Sequence, residues 1–130
     1  MDKKRAIKYW LKSSENDWQV ANHLFQKRDY SYALFFGHLT IEKILKALYI
    51  DRRVSVPPYT HTLKYLAEKI PLQITDAQKK LLETITDFNI EARYSDYKFT
   101  FWKRCTKAYT KKYLSEIEEI KEWLLSQIQF

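Results

Sequence analysis

Apolar residues recur at three- and four-residue steps over most of this chain, and that spacing predicts helices. Ile7, Trp10, Leu11, Ser14, Trp18, Ala21, Leu24 and Phe25 mark one face of a first helix running from Lys3 to Lys27. Lys4, Lys8, Lys12, Glu15 and Gln19 fall mainly on the other side, so the helix is amphipathic and its tryptophans are core or interface anchors. Arg28-Asp29-Tyr30 reads as a short turn, with Ser31 as the N-cap of a second helix that ends at Asp51. Tyr32, Ala33, Phe35, Phe36, Leu39, Ile41, Ile44, Leu45, Ala47, Leu48 and Tyr49 make this second helix apolar nearly all round. Such a helix is central, with neighbours on several sides. His38, Glu42, Lys43 and Lys46 lie within it and cannot all avoid burial.

Pro57-Pro58 excludes helix from the loop over Arg52 to Tyr59. Thr60 or Thr62 can cap a short third helix that ends at Pro71. Thr75-Asp76-Ala77-Gln78 has the spacing of a capping box and opens a fourth helix with Leu81, Leu82, Ile85, Phe88 and Ala92 as its core face. From Tyr97 to Lys103 the aromatics alternate at period two, a strand signal. A lone strand has no partner, so this stretch is expected to be an extended connection pinned to the core by its rings. A last helix spans Cys105 to Gln127, with Tyr109, Tyr113, Ile117, Ile120, Leu124 and Ile128 on its apolar face.

These elements predict one domain over residues 1–130, all-α, an up-and-down bundle of about five helices. The single glycine, Gly37, and the three prolines agree, because a β-sandwich or a doubly wound fold needs more turn residues.

Charge narrows the function. The formal net charge is +7, which attracts anions: nucleic acid, a nucleotide or an acidic protein. A merely soluble basic surface is the other reading. One glycine cannot build a phosphate-cradling loop, and no histidine stands at zinc-ligand spacing from another, so neither cofactor nor metal is expected. The lone cysteine, Cys105, excludes an intramolecular disulfide. It lies between Arg104 and Lys107, as an activated thiol or as a small residue near a helix start. No signal peptide and no run near the roughly 20 apolar residues of a membrane span is present, so a cytoplasmic protein without membrane contact is expected.

Three groups of residues could carry chemistry. His38 and Glu42, four apart, can meet on one helix face, as a ligand-binding pair or as a satisfied core histidine. His61 opens the third helix, where it can contact a ligand or anchor a turn. Asn89, Arg93 and Asp96 share one stripe if the fourth helix continues that far. An amide, a guanidinium and a carboxylate there could grip a phosphate or a base, or could tie the helix end to its neighbours. Arg93, Lys98, Lys103 and Arg104 are interleaved with Tyr94, Tyr97, Phe99, Phe101 and Trp102, the mixture that single-stranded nucleic acid uses. The alternative buries most of these rings and leaves Tyr94, beside Arg93, as the ring of functional interest.

Taken in order, Phe35 to Leu48 (with Glu42-Lys43-x-x-Lys46-Ala47), Pro57-Pro58 with His61 and Leu63, and Phe88 to Tyr97 (with Ala92-Arg93-Tyr94-x-Asp96) resemble the HEPN domain, a name that abbreviates "higher eukaryotes and prokaryotes nucleotide-binding". The resemblance spans almost the whole chain. It implies a helical bundle that commonly forms homodimers. Such small prokaryotic proteins are often encoded beside a minimal nucleotidyltransferase in toxin–antitoxin-like systems. Many HEPN proteins are metal-independent RNases whose motif is an arginine followed, after four to six residues, by a histidine. Arg93 matches the arginine, but Lys98, Phe99 and Thr100 stand where the histidine belongs. A lysine that titrates near 10.4 is a poor proton carrier at neutral pH. The resemblance therefore implies a nucleotide- or RNA-binding module at Arg93, Asn89, Asp96, Tyr94 and Lys98, with His38, Glu42 and His61 in support, and no complete RNase motif. Two alternatives stay open: an RNase toxin that takes its base from His38 or His61, and a purely structural dimeric adaptor.

Overall fold

A computed structural model describes residues 2–129, with Ser95 and Asp96 described by their backbone alone. The chain folds into six helices: α1 (Lys3–Gln26), α2 (Tyr30–Arg53), α3 (Leu63–Glu68), α4 (Asp76–Arg93), α5 (Ser95–Arg104) and α6 (Lys107–Ser126). Among the described residues there is no strand, and no helix is long and apolar enough to cross a membrane. The fold is the all-α bundle that the periodicity predicts, with one helix more than five.

α2 is central because it is apolar on nearly every face. It packs against all five other helices, and Ala33, Leu34, Ile41, Ile44, Leu45 and Leu48 are fully enclosed. α1 lies along it as the other arm of a hairpin, closed by Arg28 in the left-handed region at φ 65°. The cap of α2 is Asp29, earlier in the chain than Ser31, and Ser31 is buried in the first turn. At the far end of α2, Arg52 donates to the carbonyls of Pro71 (2.7 Å) and Gln127 (3.0 Å), and Arg53 donates to Lys69 (2.9 Å). These bonds tie the end of α2 to the ends of α3 and α6.

The polar residues inside α2 are paired. Lys43 meets the buried Asp17 of α1, and Lys46 meets Glu42 one turn back. Ser14 donates to the Thr40 carbonyl at 2.9 Å, which lets α1 and α2 approach closely. Gly37 serves the same end against α6, since a Cβ there would lie 2.8 Å from Ile117 Cδ1.

The capping box of α4 forms as its sequence predicts. Gln78 N–H donates to Thr75 Oγ1 at 3.1 Å, and Thr75 N–H donates to Gln78 Oε1 at 2.9 Å. α3 is capped differently: Leu63 N–H donates to Thr86 Oγ1 of α4, and the Thr60 hydroxyl accepts from Thr62 N–H.

Residues 97–103 depart from expectation. They are helical, within α5, and not an extended connection. With no strand to pair with, the backbone satisfies its N–H and C=O groups within the segment. Helical geometry then turns only one of the segment's four rings, those of Tyr97, Phe99, Phe101 and Trp102, fully inward. Phe101 is buried and stacks on Phe88 at 5.6 Å, whereas Tyr94, Tyr97, Phe99 and Trp102 are exposed. α6 begins at Lys107 under a Thr106 cap, so Cys105 closes α5 instead of opening the last helix.

Candidate functional site

The stripe of Asn89, Arg93 and Asp96 requires a continuous helix, and the helix stops. Arg93 is the last residue of α4, and Tyr94 is extended (φ −93°, ψ 133°) before α5 begins. The Asp96 side chain lies outside the described residues. Asn89 is buried, and it meets Arg93 through its carbonyl, which accepts from Arg93 Nε at 3.0 Å.

That bond fixes the near side of an exposed guanidinium. Its central carbon lies 5.6 Å from the Phe35 ring of α2 and 5.3 Å from the Tyr94 ring. A cation lodged against two rings is held without being neutralised. Its Nη edge, opposite Nε, has the fork geometry that suits a phosphate or carboxylate. Lys98 approaches the same face of α2, with Nζ 5.7 Å from the ring of Tyr32, one turn before Phe35.

His38, Glu42 and His61 do come together. Glu42 is buried and receives His61 Nδ1–H at 2.7 Å through one carboxylate oxygen and Lys46 Nζ at 3.1 Å through the other. His38 Nε2–H donates to the His61 carbonyl at 2.9 Å and lies 3.9 Å from Glu42. Since a carbonyl only accepts, His38 carries its proton on Nε2. Its Nδ1 is buried and meets no donor among the described residues. Burial pushes the His38 imidazole below the usual histidine value. The bond to the His61 carbonyl and the Glu42 charge work in the opposite direction, while His61 and Arg93 add to the lowering. His38 is thus a neutral buried link between the Arg93 side of α2 and the loop that carries His61.

His61 is arranged differently. A buried carboxylate holds its Nδ1, and its side chain is nearly half exposed. Tyr59 packs edge-on to it at 5.8 Å and is itself almost fully exposed. Beside this loop, Trp10, Lys46, Ile50, Pro57 and Tyr59 line an apolar hollow of about 360 Å³.

The sequence reading singled out Arg93, Tyr94, Lys98, His38, Glu42 and His61, and it missed Tyr32, Phe35 and Tyr59 as parts of the site. Tyr32, Phe35, His38, Glu42 and Lys46 follow one another at three- and four-residue steps, so a stripe along α2 was the available signal. No such signal exists for Tyr59, because a loop has no period. Cys105 is no nucleophile: it is buried, and burial pushes its thiol up to about 12. Among the described residues no three His, Cys, Asp or Glu side chains gather as metal ligands.

Comparison with known proteins places the fold. No curated protein matches the chain by sequence. The crystal structure of TT1696 from Thermus thermophilus superposes with a TM-score of 0.82 at 18% identity, covering 94% of this chain and 98% of that one. At that identity the likeness concerns the fold. The HEPN domain model matches residues 7–128, from the first turns of α1 to the residue pair after α6, and the chain therefore belongs to the HEPN domain family.

Proposed function

We propose that this HEPN chain is a nucleotide- or RNA-binding module in which Arg93 takes the phosphate. One observation carries the reading: the Arg93 guanidinium is exposed, tied at Nε to the Asn89 carbonyl and lodged against Phe35 and Tyr94. A preoriented cation on a chain of net charge +7 attracts an anion and loses little freedom on meeting it. Tyr94 offers a ring beside it, and Lys98 a second cation on the same side of α2. Family resemblance extends the proposal to a cytoplasmic homodimer that works with a minimal nucleotidyltransferase in a toxin–antitoxin-like pair. Phe99 and Trp102, exposed on the outer side of α5, supply apolar surface for self-association.

The test is thermal unfolding with ATP, AMP and short RNA. A ligand that binds only the native state raises the melting temperature, by a shift worth about 2.7 kcal/mol at a hundredfold excess over Kd. The shift should be present in the wild type and absent in Arg93→Ala. Equal shifts in both proteins would remove Arg93 from the site.

The His61–Glu42 pair favours a second reading, in which the chain cleaves RNA without metal. There His61 Nε2 would take the proton of a 2′-hydroxyl as its oxygen attacks the adjacent phosphorus and the 5′-oxygen departs, protonated by water. Incubation of RNA with the protein in chelator tests this. Cleavage lost in His61→Gln supports it, and intact RNA with the wild type rejects it.

A further inference from the structure

We propose that the Arg93 site is the middle station of a track for single-stranded nucleic acid, laid along α2 from Tyr32 to the Tyr59–His61 loop. This deepens the Arg93 reading and rests on it. The stripe of Tyr32, Phe35, His38, Glu42 and Lys46 advances steadily along α2, and each step meets a group from another element. Lys98 of α5 stands over Tyr32, and Arg93 at the end of α4 stands over Phe35. One turn further, His38 and Glu42 hold His61. Lys46, at the end of the stripe, lies 5.9 Å from the ring of Tyr59.

The dimensions match a polymer. Tyr32 to Lys46 is fourteen steps of helix, about 21 Å at 1.5 Å each. A strand taking about 3.4 Å per phosphate when stacked, and up to roughly twice that when extended, would lay three to six nucleotides over it. A free nucleotide needs one cation and one ring. This surface provides cations at Lys98 and Arg93 and exposed rings at Tyr32, Tyr94 and Tyr59, in separate stations. Sequence-tolerant stacking with phosphate contacts between the rings is how single strands are held. Among the described residues the carboxylate beneath the track, that of Glu42, is buried and engaged by Lys46 and His61, so there the surface presents the imidazole and not the anion. A repeating polyanion with stacking bases matches cations and rings set out in stations of this kind.

Fluorescence anisotropy with a labelled adenosine 8-mer, as RNA and as DNA, and competition by AMP test the proposal. The 8-mer is expected to bind at least about tenfold tighter than AMP. Tyr59→Ala and Lys98→Ala should each weaken it about tenfold and by a larger factor than they weaken AMP, and Lys98→Ala should reduce the salt slope by about one. Both residues lie at the surface, and unchanged circular dichroism controls for folding. Equal affinity for AMP and 8-mer, or an 8-mer insensitive to Tyr59→Ala and Lys98→Ala but lost in Arg93→Ala, overturns the track and leaves the Arg93 reading standing. An 8-mer insensitive to Arg93→Ala overturns the Arg93 reading and removes the middle of the track with it. A change in sedimentation with no change in 8-mer affinity for Tyr59→Ala makes that loop a protein interface and overturns the track.

Discussion

Glu42→Ala is the most informative single change in this molecule. The carboxylate accepts from Lys46 Nζ at 3.1 Å and from His61 Nδ1 at 2.7 Å, and both Glu42 and Lys46 are buried. Its removal leaves the Lys46 ammonium inside the fold with only the rings of Trp10, at 5.1 Å, and Tyr59 nearby. Breaking a buried pair from one side costs about 3–5 kcal/mol, because the remaining charge is uncompensated. Set against a domain stability of about 5–15 kcal/mol, that is a large share. Urea unfolding near neutral pH, followed by far-UV circular dichroism, should move to lower midpoint with its slope unchanged. The companion variant Glu42→Leu with Lys46→Leu removes both charges and should recover most of the loss, since an apolar replacement of a buried pair is often neutral or better. Recovery of stability will not restore the site, because His61 still lacks the carboxylate that orients it. A loss under about 1 kcal/mol for Glu42→Ala, the scale of an exposed pair, would refute the reasoning.

Three further outcomes are expected. His38 is held below the ordinary histidine value near 6.5, so the unfolded chain binds the proton first as pH falls. Its contribution is complete above 6.5 and is lost as pH drops through 6.5 toward the lower folded value; melting curves of wild type and His38→Gln should therefore converge in acid. Gly37→Ala gains about 1 kcal/mol of helix propensity but drives a methyl to 2.8 Å from Ile117 Cδ1 in a closed core, so a net loss of about 1 kcal/mol is expected in urea unfolding. Adding Ile117→Val, which removes that methyl, should relieve the loss. Cys105, buried and with its thiol pushed up to about 12, should react with Ellman's reagent only at the rate of unfolding; fast modification of the native protein would contradict its burial.

Much of the architecture was legible in the chain because it depends on local periodicity and local chemistry. The face of α1, the all-round apolarity of α2 and the Thr75–Gln78 box each declare themselves within a few residues. Arg93 stands out as a candidate from the sequence, since the Ala92-Arg93-Tyr94-x-Asp96 run is local. The segment from Tyr97 to Lys103 was not: period-two aromatics suit a strand, and only the lack of a partner strand and the fit of Phe101 against Phe88 make it a helix. Its outward rings follow from that same outcome. The assembly of the site was hidden for another reason. His38 and Glu42 announce themselves at i and i+4, but their partner His61 arrives from a loop, and Arg93 meets Phe35 from the end of a different helix. Sequence alone determines which residues share a helix face, because that is a matter of 3.6 residues per turn. Which faces meet is decided by packing around α2, where distant residues become neighbours only after the core has closed.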